Sequence, residues 1–329
     1  MAERAGSTGT VAAPAPVDLQ PTPEQILAEV LEGLSATPRW LPSKYFYDAE
    51  GSRLFEAITR QPEYTLTRTE LALLETTLPD IAAAVGPRLH VVEYGSGSGR
   101  KTRLLLAGLE DVVAYTPVEI SRSALEASVE LLRAGFPAIE MLPVLADFTR
   151  AVQVPTPARA PRDALVFFPG STLGNFDRAQ SVALLAGMRA LLGPQGHVLV
   201  GFDLDKDPRL VEAAYNDAAG VTAAFTLNLL VRLNREIGSD FDIDGFAHRA
   251  VYARERLRIE TFLVSRRAQT VHVGGRAFHF AEGEAMAVEI SQKYTRGSVA
   301  GLAAEAGLRP AHWWTDPDGG FAIALLAPA

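Results

Sequence analysis

The sequence predicts an α/β protein in which a parallel sheet is combined with a second, inserted α+β lobe. Two observations predict this fold. Between residues 68 and 205, apolar strand-like runs alternate with helical segments, and this rhythm is typical of parallel strands joined by right-handed crossovers. Between residues 259 and 294, strand-like segments of alternating character follow one another, which indicates antiparallel strands.

The same change of rhythm predicts the domain boundaries. We expect residues 68–205 and 294–329 to form the parallel α/β domain, and residues 18–67 and 206–293 to form a second lobe that binds the substrate. Residues 1–17 are rich in Ala, Pro, Thr and Gly, a composition typical of a disordered N-terminal extension.

The individual elements can be predicted in chain order. A helix over 23–34 begins at Thr22, with Gln25 placed to complete a capping box, and a second helix over 70–84 is expected to break at Pro79. The remaining predicted strands of the α/β domain lie at 89–95, 112–120, 141–148, 164–170 and 197–204. The remaining predicted helices lie at 100–110, from 121, at 178–192, at 210–234 apart from Gly220 and Val221, and at 298–306. Antiparallel strands are predicted at 259–273, 276–284, 286–294 and 312–327, the last a hairpin.

Composition excludes several classes of function. The chain of 329 residues has a net charge of −8, which argues against a nucleic acid or an anionic membrane as partner. It contains no cysteine, so disulfides, thiolate metal sites and cysteine nucleophiles are excluded. The six histidines lack paired metal-ligand spacing, and we expect no metal site. No secretory or membrane-spanning segment is evident, so we expect a cytoplasmic protein. We also expect it to be a monomer.

A glycine-rich turn, Gly95-Ser-Gly97-Ser-Gly99, follows an apolar strand and precedes a helix. Glycines there let backbone N–H groups approach a ligand, and Glu119, at the end of the next strand, can accept hydrogen bonds from both ribose hydroxyls of an adenosine-type ligand. A plain glycine-rich connection is the alternative. The Gly-x-Gly-x-Gly spacing, with an acid at Glu93, resembles the S-adenosylmethionine site of class I methyltransferases, a Rossmann-like fold.

Asp147 and Phe148, after the third strand, fit the same plan, because the carboxylate can take the adenine amino group and the ring can cover the base. A turn acid beside a core aromatic is the alternative for this pair. Pro117 lacks an N–H donor and is expected to mark the end of its strand.

Nearly the whole chain after residue 25 resembles the histidine-specific N-methyltransferases of ergothioneine biosynthesis, which trimethylate the α-amino group of L-histidine to give hercynine. The matching segments are KYFYDAEGSRLFEAIT, PEYTLTRTE, VEYGSGSGRKT, ADF, FFPGSTLGNF, GFDLDKD, AYNDAAGVTAAF, EISQKY and HWWTDPDGGF. The resemblance implies S-adenosylmethionine as cofactor, L-histidine as small-molecule substrate, and the first step of ergothioneine biosynthesis as the reaction.

The resemblance also implies roles for particular residues. Gly95 and Lys101 would hold the methionine end of the cofactor, Glu119 the ribose, where the family pattern has Asp, and Asp147 and Phe148 the adenine. The residues implied for the amino-acid substrate are Tyr64, Asn175, Tyr215, Glu289 and Ser291, with Tyr47 as the catalytic residue near the reacting nitrogen.

The residues alone leave alternatives open. Asn175 can be a helix cap, and Tyr215 can be a core residue of an amphipathic helix. Glu289 and Ser291 share one face of a predicted strand, with Val288 and Ile290 facing the core, and such a face is often exposed to solvent. A different amino-acid substrate such as tryptophan, a nicotinamide-dependent oxidoreductase and a non-catalytic adenosyl-ligand-binding protein are the alternative functions.

Overall fold

A computed structural model describes residues 17–329, and within that range nine strands form one large sheet. The strands are β1 (Val17–Leu19), β2 (Leu89–Tyr94), β3 (Val112–Glu119), β4 (Glu140–Met141), β5 (Val144–Ala146), β6 (Asp163–Phe168), β7 (His197–Asp203), β13 (Leu308–Thr315) and β14 (Phe321–Pro328). Their order is β1-β5-β3-β2-β6-β7-β14-β13, with β4 beside β3. All pairings are parallel except those of β14 with β7 and β13, so the predicted parallel α/β class is confirmed.

Nine α-helices lie within residues 17–329. They are α1 (Pro23–Ser35), α2 (Ala49–Ile58), α3 (Leu66–Val85), α4 (Arg100–Gly108), α5 (Arg122–Gly135), α6 (Arg178–Ala190), α7 (Pro208–Ala213), α8 (Val221–Ile237) and α9 (Arg296–Glu305). The predicted capping box of α1 is present, since Thr22 accepts from the Gln25 backbone and Gln25 accepts from the Thr22 backbone. Within residues 17–329, no helix is both long and apolar enough to cross a membrane.

A second group of strands is antiparallel, as the sequence predicts. It consists of β8 (Phe246–Ala253), β9 (Arg258–Ser265) and β12 (Ala285–Gln292) in one sheet, with β10 (Gln269–Val273) and β11 (Arg276–Phe280) as a hairpin. Their apolar side chains form one core with α1, α2 and α8, while two other cores lie on the faces of the large sheet. The domain boundaries themselves stay a prediction.

The N-terminal prediction is only partly covered by the structure. Residues 1–16 lie outside the described range. Val17, the last residue of the predicted extension, instead begins β1, which pairs in parallel with β5 through Val17 and Val144.

The predicted break at Pro79 is wrong, because α3 runs without interruption from Leu66 to Val85. Proline removes the hydrogen bond to the carbonyl four residues earlier, here that of Glu75. Both Glu75 and Pro79 lie on the exposed side of α3, where water can satisfy the freed carbonyl. The opposite side, including Leu74 and Ile81, is buried and holds the helix in place.

The strand end predicted at Pro117 is also wrong, because β3 continues to Glu119. On one side of β3, the short strand β4 pairs as far as Tyr115, and β5 begins its pairing at Val118. Pro117 falls in the gap between these two partners. No strand pairs with Pro117 on that side, so the N–H that proline lacks is not needed for a hydrogen bond there.

The segment predicted as helix over 210–234, apart from Gly220 and Val221, forms two helices, of which α7 ends at Ala213 and α8 begins at Val221. The Asp217 carboxylate accepts from the backbone N–H groups of Val221, at 2.7 Å, and Thr222, at 2.8 Å, and thereby caps the start of α8. This capped turn places Tyr215 between the helices rather than within one. Strand β8 was not predicted. Its sequence, FAHRAVYA, does not alternate regularly between apolar and polar residues, and in the structure its residues do not alternate regularly between buried and exposed.

Helix α1 approaches the segment that leads to the 3₁₀ turn Ser43–Phe46 so closely that only glycine fits at Gly33. A Cβ atom added there would lie 2.2 Å from the backbone oxygen of Trp40. Trp40 in turn bridges to Ala287 of β12. The contact therefore fixes α1 against the second sheet.

We predict that Gly33→Ala lowers the free energy of unfolding by about 1–3 kcal/mol, because the backbone must move to admit the methyl group. Gly187→Ala is the matched control, since Gly187 lies on the exposed side of α6 and an added Cβ would contact nothing within 4 Å. This control should stabilise the protein by about 0.5–1 kcal/mol. Chemical denaturation of both variants measures the difference, and equal effects would contradict the close approach.

Candidate active site

Two adjoining cavities open at the edge of the large sheet where β2, β3, β5 and β6 end, the usual ligand edge of an open α/β sheet. The larger has a volume of about 530 Å³ and is lined by the glycine-rich turn and by the segments that follow β3 and β5. The smaller has a volume of about 60 Å³ and lies between that edge, α8 and β12.

The two cavities share part of their walls. The residues that line both are Tyr47, Phe55, Tyr64, Gly170, Thr172 and Asn175. All eleven site residues predicted from the sequence line one cavity or the other. The arrangement could therefore hold one ligand directly beside a second.

The glycine-rich turn forms one wall of the larger cavity, as predicted. Gly95 has φ +77° and Gly97 has φ +48°, conformations that residues with a side chain rarely adopt. The Ser96 hydroxyl is buried without a hydrogen-bond partner within the described residues. A turn held open in this way, with a polar atom unpaired, fits an adenosyl ligand bearing a charged amino-acid end.

Glu119 lies at the end of β3 and closes the turn from the opposite side. Its Oε2 accepts from the Gly97 backbone at 3.2 Å, and its Oε1 accepts from the backbone N–H groups of Ile120 at 2.9 Å and Ser121 at 3.0 Å. Burial raises the pKa of the carboxyl, and these three hydrogen bonds oppose that effect. Glu119 therefore both shapes the turn and lines the cavity.

Asp147 and Phe148 lie on the other side of the larger cavity. Asp147 Oδ1 accepts from the Thr149 backbone at 2.9 Å, and Oδ2 is 2.9 Å from the ammonium of Lys44. Burial acts to raise the pKa of Asp147, but the hydrogen bonds from Thr149 and Lys44 outweigh it, and the pKa is lowered. Phe148 stacks on Tyr94, with ring centroids 5.5 Å apart.

Lys44 was not predicted as a site residue. It comes from the 3₁₀ turn Ser43–Phe46, so its ion pair with Asp147 connects the second core to the large sheet. Its ammonium also lies 2.8 Å from Glu29 of α1. No periodicity in the sequence indicates the pairing with Asp147, because Lys44 and Asp147 are 103 residues apart along the chain.

Lys101, predicted at the methionine end of the cofactor, forms an ion pair with Glu70 of α3. The Glu70 carboxylate also accepts from the Gly170 backbone at 2.8 Å. Glu70 is almost completely buried and was not among the predicted site residues. The signal was present, since Glu70 interrupts the apolar side of α3 between Leu66 and Leu73.

Glu289 and Ser291 of β12 both line the smaller cavity, so the expectation that they share one face is confirmed. The solvent-facing alternative is wrong for Ser291, which is buried. The prediction that Val288 and Ile290 face the core is correct for one of the two residues. Val288 belongs to the core, but Ile290 is only half-buried, because the register of β12 against β9 shifts between Ala287 and Glu289 and leaves Val288 as an extra residue.

The electrostatic environment of Glu289 is unusual for an acid. Burial raises the pKa of Glu289 to about 7, although the nearby charge of Lys293 acts in the opposite direction. The carboxyl group can therefore exist in both protonation states near neutral pH. A ligand that donates a hydrogen bond would favour the ionised state.

Tyr215 reaches the smaller cavity from the turn after α7. Its hydroxyl donates to Ser291 Oγ at 2.7 Å and accepts from the Lys293 ammonium at 3.1 Å. The hydroxyl proton is thus directed at Ser291, and the predicted contact with a substrate carboxylate requires it to rotate. Lys293 was not predicted, although it lies two residues after Ser291 and so falls on the same side of the chain.

Aromatic side chains form the wall between the cavities. Tyr47 makes edge contacts with Phe55, at 5.8 Å between centroids, and with Phe225, at 5.6 Å. Tyr64 contacts Phe55 in the same way at 6.3 Å. Burial raises the pKa of Tyr47 and of Tyr64 well above the usual value, so both stay neutral phenols.

Asn175 ends the short 3₁₀ turn Thr172–Asn175 after β6 and lines both cavities. The alternative role of helix cap is wrong, because Asp177 caps α6. Thr222 of α8 also lines the smaller cavity, and its buried hydroxyl has no partner among residues 17–329. An unpartnered hydroxyl in a ligand cavity can contact a ligand, and Thr222 was not among the predicted site residues.

Comparison with known proteins places this geometry in a family. A family model described as histidine-specific, SAM-dependent methyltransferase matches residues 26–328. Histidine N-alpha-methyltransferase of Mycolicibacterium smegmatis is 42% identical over 92% of this chain and 94% of that protein. The protein of the same name from Mycobacterium tuberculosis is 36% identical over 91% of this chain and 94% of that protein.

A fungal protein shows a more distant similarity. Ergothioneine biosynthesis protein 1 of Neurospora crassa is 30% identical over 84% of this chain, a match that spans 32% of the longer fungal protein. The match of the family model to nearly the whole chain, together with the two similar mycobacterial proteins, shows that this chain belongs to the S-adenosylmethionine-dependent, histidine-specific methyltransferase family.

Proposed function

We propose that this protein transfers methyl groups from S-adenosylmethionine to the α-amino group of L-histidine in three rounds and releases hercynine. The observation that carries the proposal is the shared wall of the two cavities, because a methyl transfer needs its two substrates in contact. The similar proteins named histidine N-alpha-methyltransferase support the choice of substrate and of nitrogen. The fungal relative supports a place in ergothioneine synthesis.

The larger cavity is proposed to hold the adenosyl substrate. The glycine-rich turn from Gly95 and the Lys101 ammonium would hold its amino-acid end, and Glu119 its ribose hydroxyls. Asp147 and Phe148 would hold the adenine by hydrogen bonding and ring contact. Hydrogen bonds from Thr149 and from the Lys44 ammonium lower the pKa of Asp147 and keep its carboxylate ionised, which favours its role as a hydrogen-bond acceptor.

The smaller cavity is proposed to hold histidine. Glu289 would accept the imidazole N–H, and Ser291 would donate to the other ring nitrogen, so the ring is held in one tautomer. Asn175 would bind the carboxylate, while the Tyr215 hydroxyl keeps its hydrogen bond to Ser291 and holds that serine in place. The α-amino group then points to the shared wall, beside Tyr47 and Tyr64.

S-adenosylmethionine supplies the methyl group as an electrophile. The chain's own contribution is to orient a neutral amine, since only an amine with a free lone pair can form the new N–C bond. The Tyr47 and Tyr64 hydroxyls can hydrogen-bond the amine, and their raised pKa values keep them from acting as bases. The faces of Phe55 and Phe225 can accommodate the cationic methylated products.

In the direct test, the protein is incubated with S-adenosylmethionine and a panel of amino acids. The masses of the products are then measured. We expect histidine to gain 3 methyl groups, and tryptophan and the other amino acids to react poorly. Preferential methylation of a different amino acid would overturn the choice of substrate. Absence of turnover with every amino acid would overturn the proposed activity.

We predict that Glu119→Ala weakens binding of S-adenosylhomocysteine by about 1.5–3 kcal/mol, because a carboxylate that accepts ribose hydroxyls is lost. Glu126→Ala is the control, since Glu126 is an exposed acid on neighbouring helix α5. Calorimetric titration measures both affinities. Unchanged binding in Glu119→Ala would show that the ribose lies elsewhere.

We predict that Glu289 carries much of the preference for histidine. A buried carboxylate without a donor is costly, so an apolar ring is disfavoured, and sites of this kind reject the deficient analogue by about 10⁴–10⁵. In Glu289→Ala the ratio of kcat/KM for histidine over tryptophan should fall steeply. Glu282→Ala, an exposed acid in the turn before β12, is the control. A ratio unchanged by Glu289→Ala would locate the selectivity elsewhere.

The raised pKa of Glu289 predicts a pH dependence of histidine binding. With a pKa of about 7 the carboxyl is mostly protonated at low pH and cannot accept from the imidazole N–H, so affinity should rise as the pH rises through 7. Between pH 6 and pH 8 the ionised fraction grows about tenfold.

The measurement is the histidine affinity by calorimetry, with S-adenosylhomocysteine present, for the parent and for Glu289→Gln. The titration of histidine itself affects both proteins equally. The ratio of the two affinities therefore isolates Glu289 and should increase toward high pH. A ratio independent of pH would contradict a role for the ionised carboxylate.

A further inference from the structure

Lys293, directly after β12, is a lysine whose side chain is completely buried, with 0% of its surface exposed. It lines neither cavity. Its ammonium lies 2.8 Å from Oδ2 of Asp203, at the end of β7, whose side chain is also buried. A buried ion pair of this kind is costly unless further hydrogen bonds satisfy it, so its other contacts indicate what it does.

The ammonium of Lys293 has no donor left for a ligand. Besides Asp203, it donates to Ser291 Oγ at 2.9 Å and to the Tyr215 hydroxyl at 3.1 Å. An ammonium group carries three N–H donors, and here each has an acceptor. Any influence of Lys293 on a ligand must therefore pass through the two hydroxyls.

The effect on Ser291 is specific. Its oxygen accepts from Lys293 and also from the Tyr215 hydroxyl, at 2.7 Å. A serine hydroxyl has two lone pairs and one proton, so with both lone pairs occupied it can only donate to a further partner. Since Ser291 lines the same cavity as Glu289, the site offers a ligand one acceptor and one donor.

We propose that Lys293, held by Asp203, is a positioning residue that makes Ser291 an obligate hydrogen-bond donor and thereby selects a ring with one N–H and one unprotonated nitrogen, the neutral imidazole in a single tautomer. The inference rests on the proposed function. It assigns the selectivity for histidine to an ion pair that never touches histidine, in addition to the carboxylate of Glu289.

The network also permits a clean test, because Asp203 has a second cationic partner. The ammonium of Lys206 lies 2.5 Å from Asp203 Oδ1, so Asp203 remains paired when Lys293 is replaced. Lys206 reaches neither cavity. Lys206→Met is therefore a matched control for Lys293→Met, with the same substitution next to the same carboxylate.

The experiment is a double-mutant cycle of Lys293→Met and Ser291→Ala, read as KM and kcat for histidine. With Ser291 present, Lys293→Met should raise KM for histidine about tenfold, and with Ser291→Ala in place the same change should have less than about twofold effect. Lys206→Met should leave KM close to that of the parent. The affinity for S-adenosylhomocysteine and the melting temperature are measured for every variant. A purely structural role of Lys293 would change both of these quantities in Lys293→Met.

Several results would overturn the inference. Equal effects of Lys293→Met in both backgrounds, or no effect in either, would show that Lys293 does not act through Ser291. If Lys293→Met does not fold, Lys293→Met combined with Asp203→Asn removes both charges together, and the cycle is repeated with that pair. If the parent protein methylates histidine but the effects of the two substitutions are additive, only this inference is refuted. If the parent protein does not methylate histidine, both the proposed function and this inference are refuted.

Discussion

The ion pair between Glu70 and Lys101 is the interaction on which the rest of the site depends. Glu70 belongs to α3 and Lys101 to the first turn of α4, and the same Glu70 carboxylate accepts from the backbone of Gly170 after β6. Three segments that are far apart in the chain are thus fixed at one point. Because Lys101 lines the larger cavity and Gly170 lines both, the pair lies where the two cavities meet. A buried charge must be paired, and here the pairing also sets the geometry.

The same principle recurs around both cavities. Lys44 pairs with Asp147 beside the proposed adenine site, and Lys293 pairs with Asp203 behind the proposed histidine site. Each pair joins a segment packed with the second core to the end of a strand of the large sheet. The contacts that hold the two parts together are therefore also the contacts that define the donors and acceptors offered to ligands. We infer that selectivity for the amino acid depends on this junction as much as on the pocket surface.

Much of the fold and of the candidate site could be predicted from the sequence, for physical reasons that differ between elements. The strand, glycine-rich turn and helix around Gly95 leave a local pattern, and Glu289 and Ser291 follow from the period of a strand. The unbroken helix at Pro79 depends instead on which side of α3 is exposed, and the bulge at Val288 depends on the partner strand. The partners of Lys44 were not predictable, because ion pairs between distant segments leave no periodic signal. The residue roles within the site remain proposals.

The central claim is that the two cavities bring the α-nitrogen of histidine to the methyl donor, and the most direct measurement identifies the nitrogen that receives the methyl groups. Histidine labelled with ¹⁵N only at the α-position is reacted with S-adenosylmethionine carrying a ¹³C methyl group, and the product is observed by NMR. Our account predicts one signal from three equivalent methyl groups, with a one-bond coupling to ¹⁵N. A methyl signal without that coupling would place the methyl group on the imidazole ring and contradict the account.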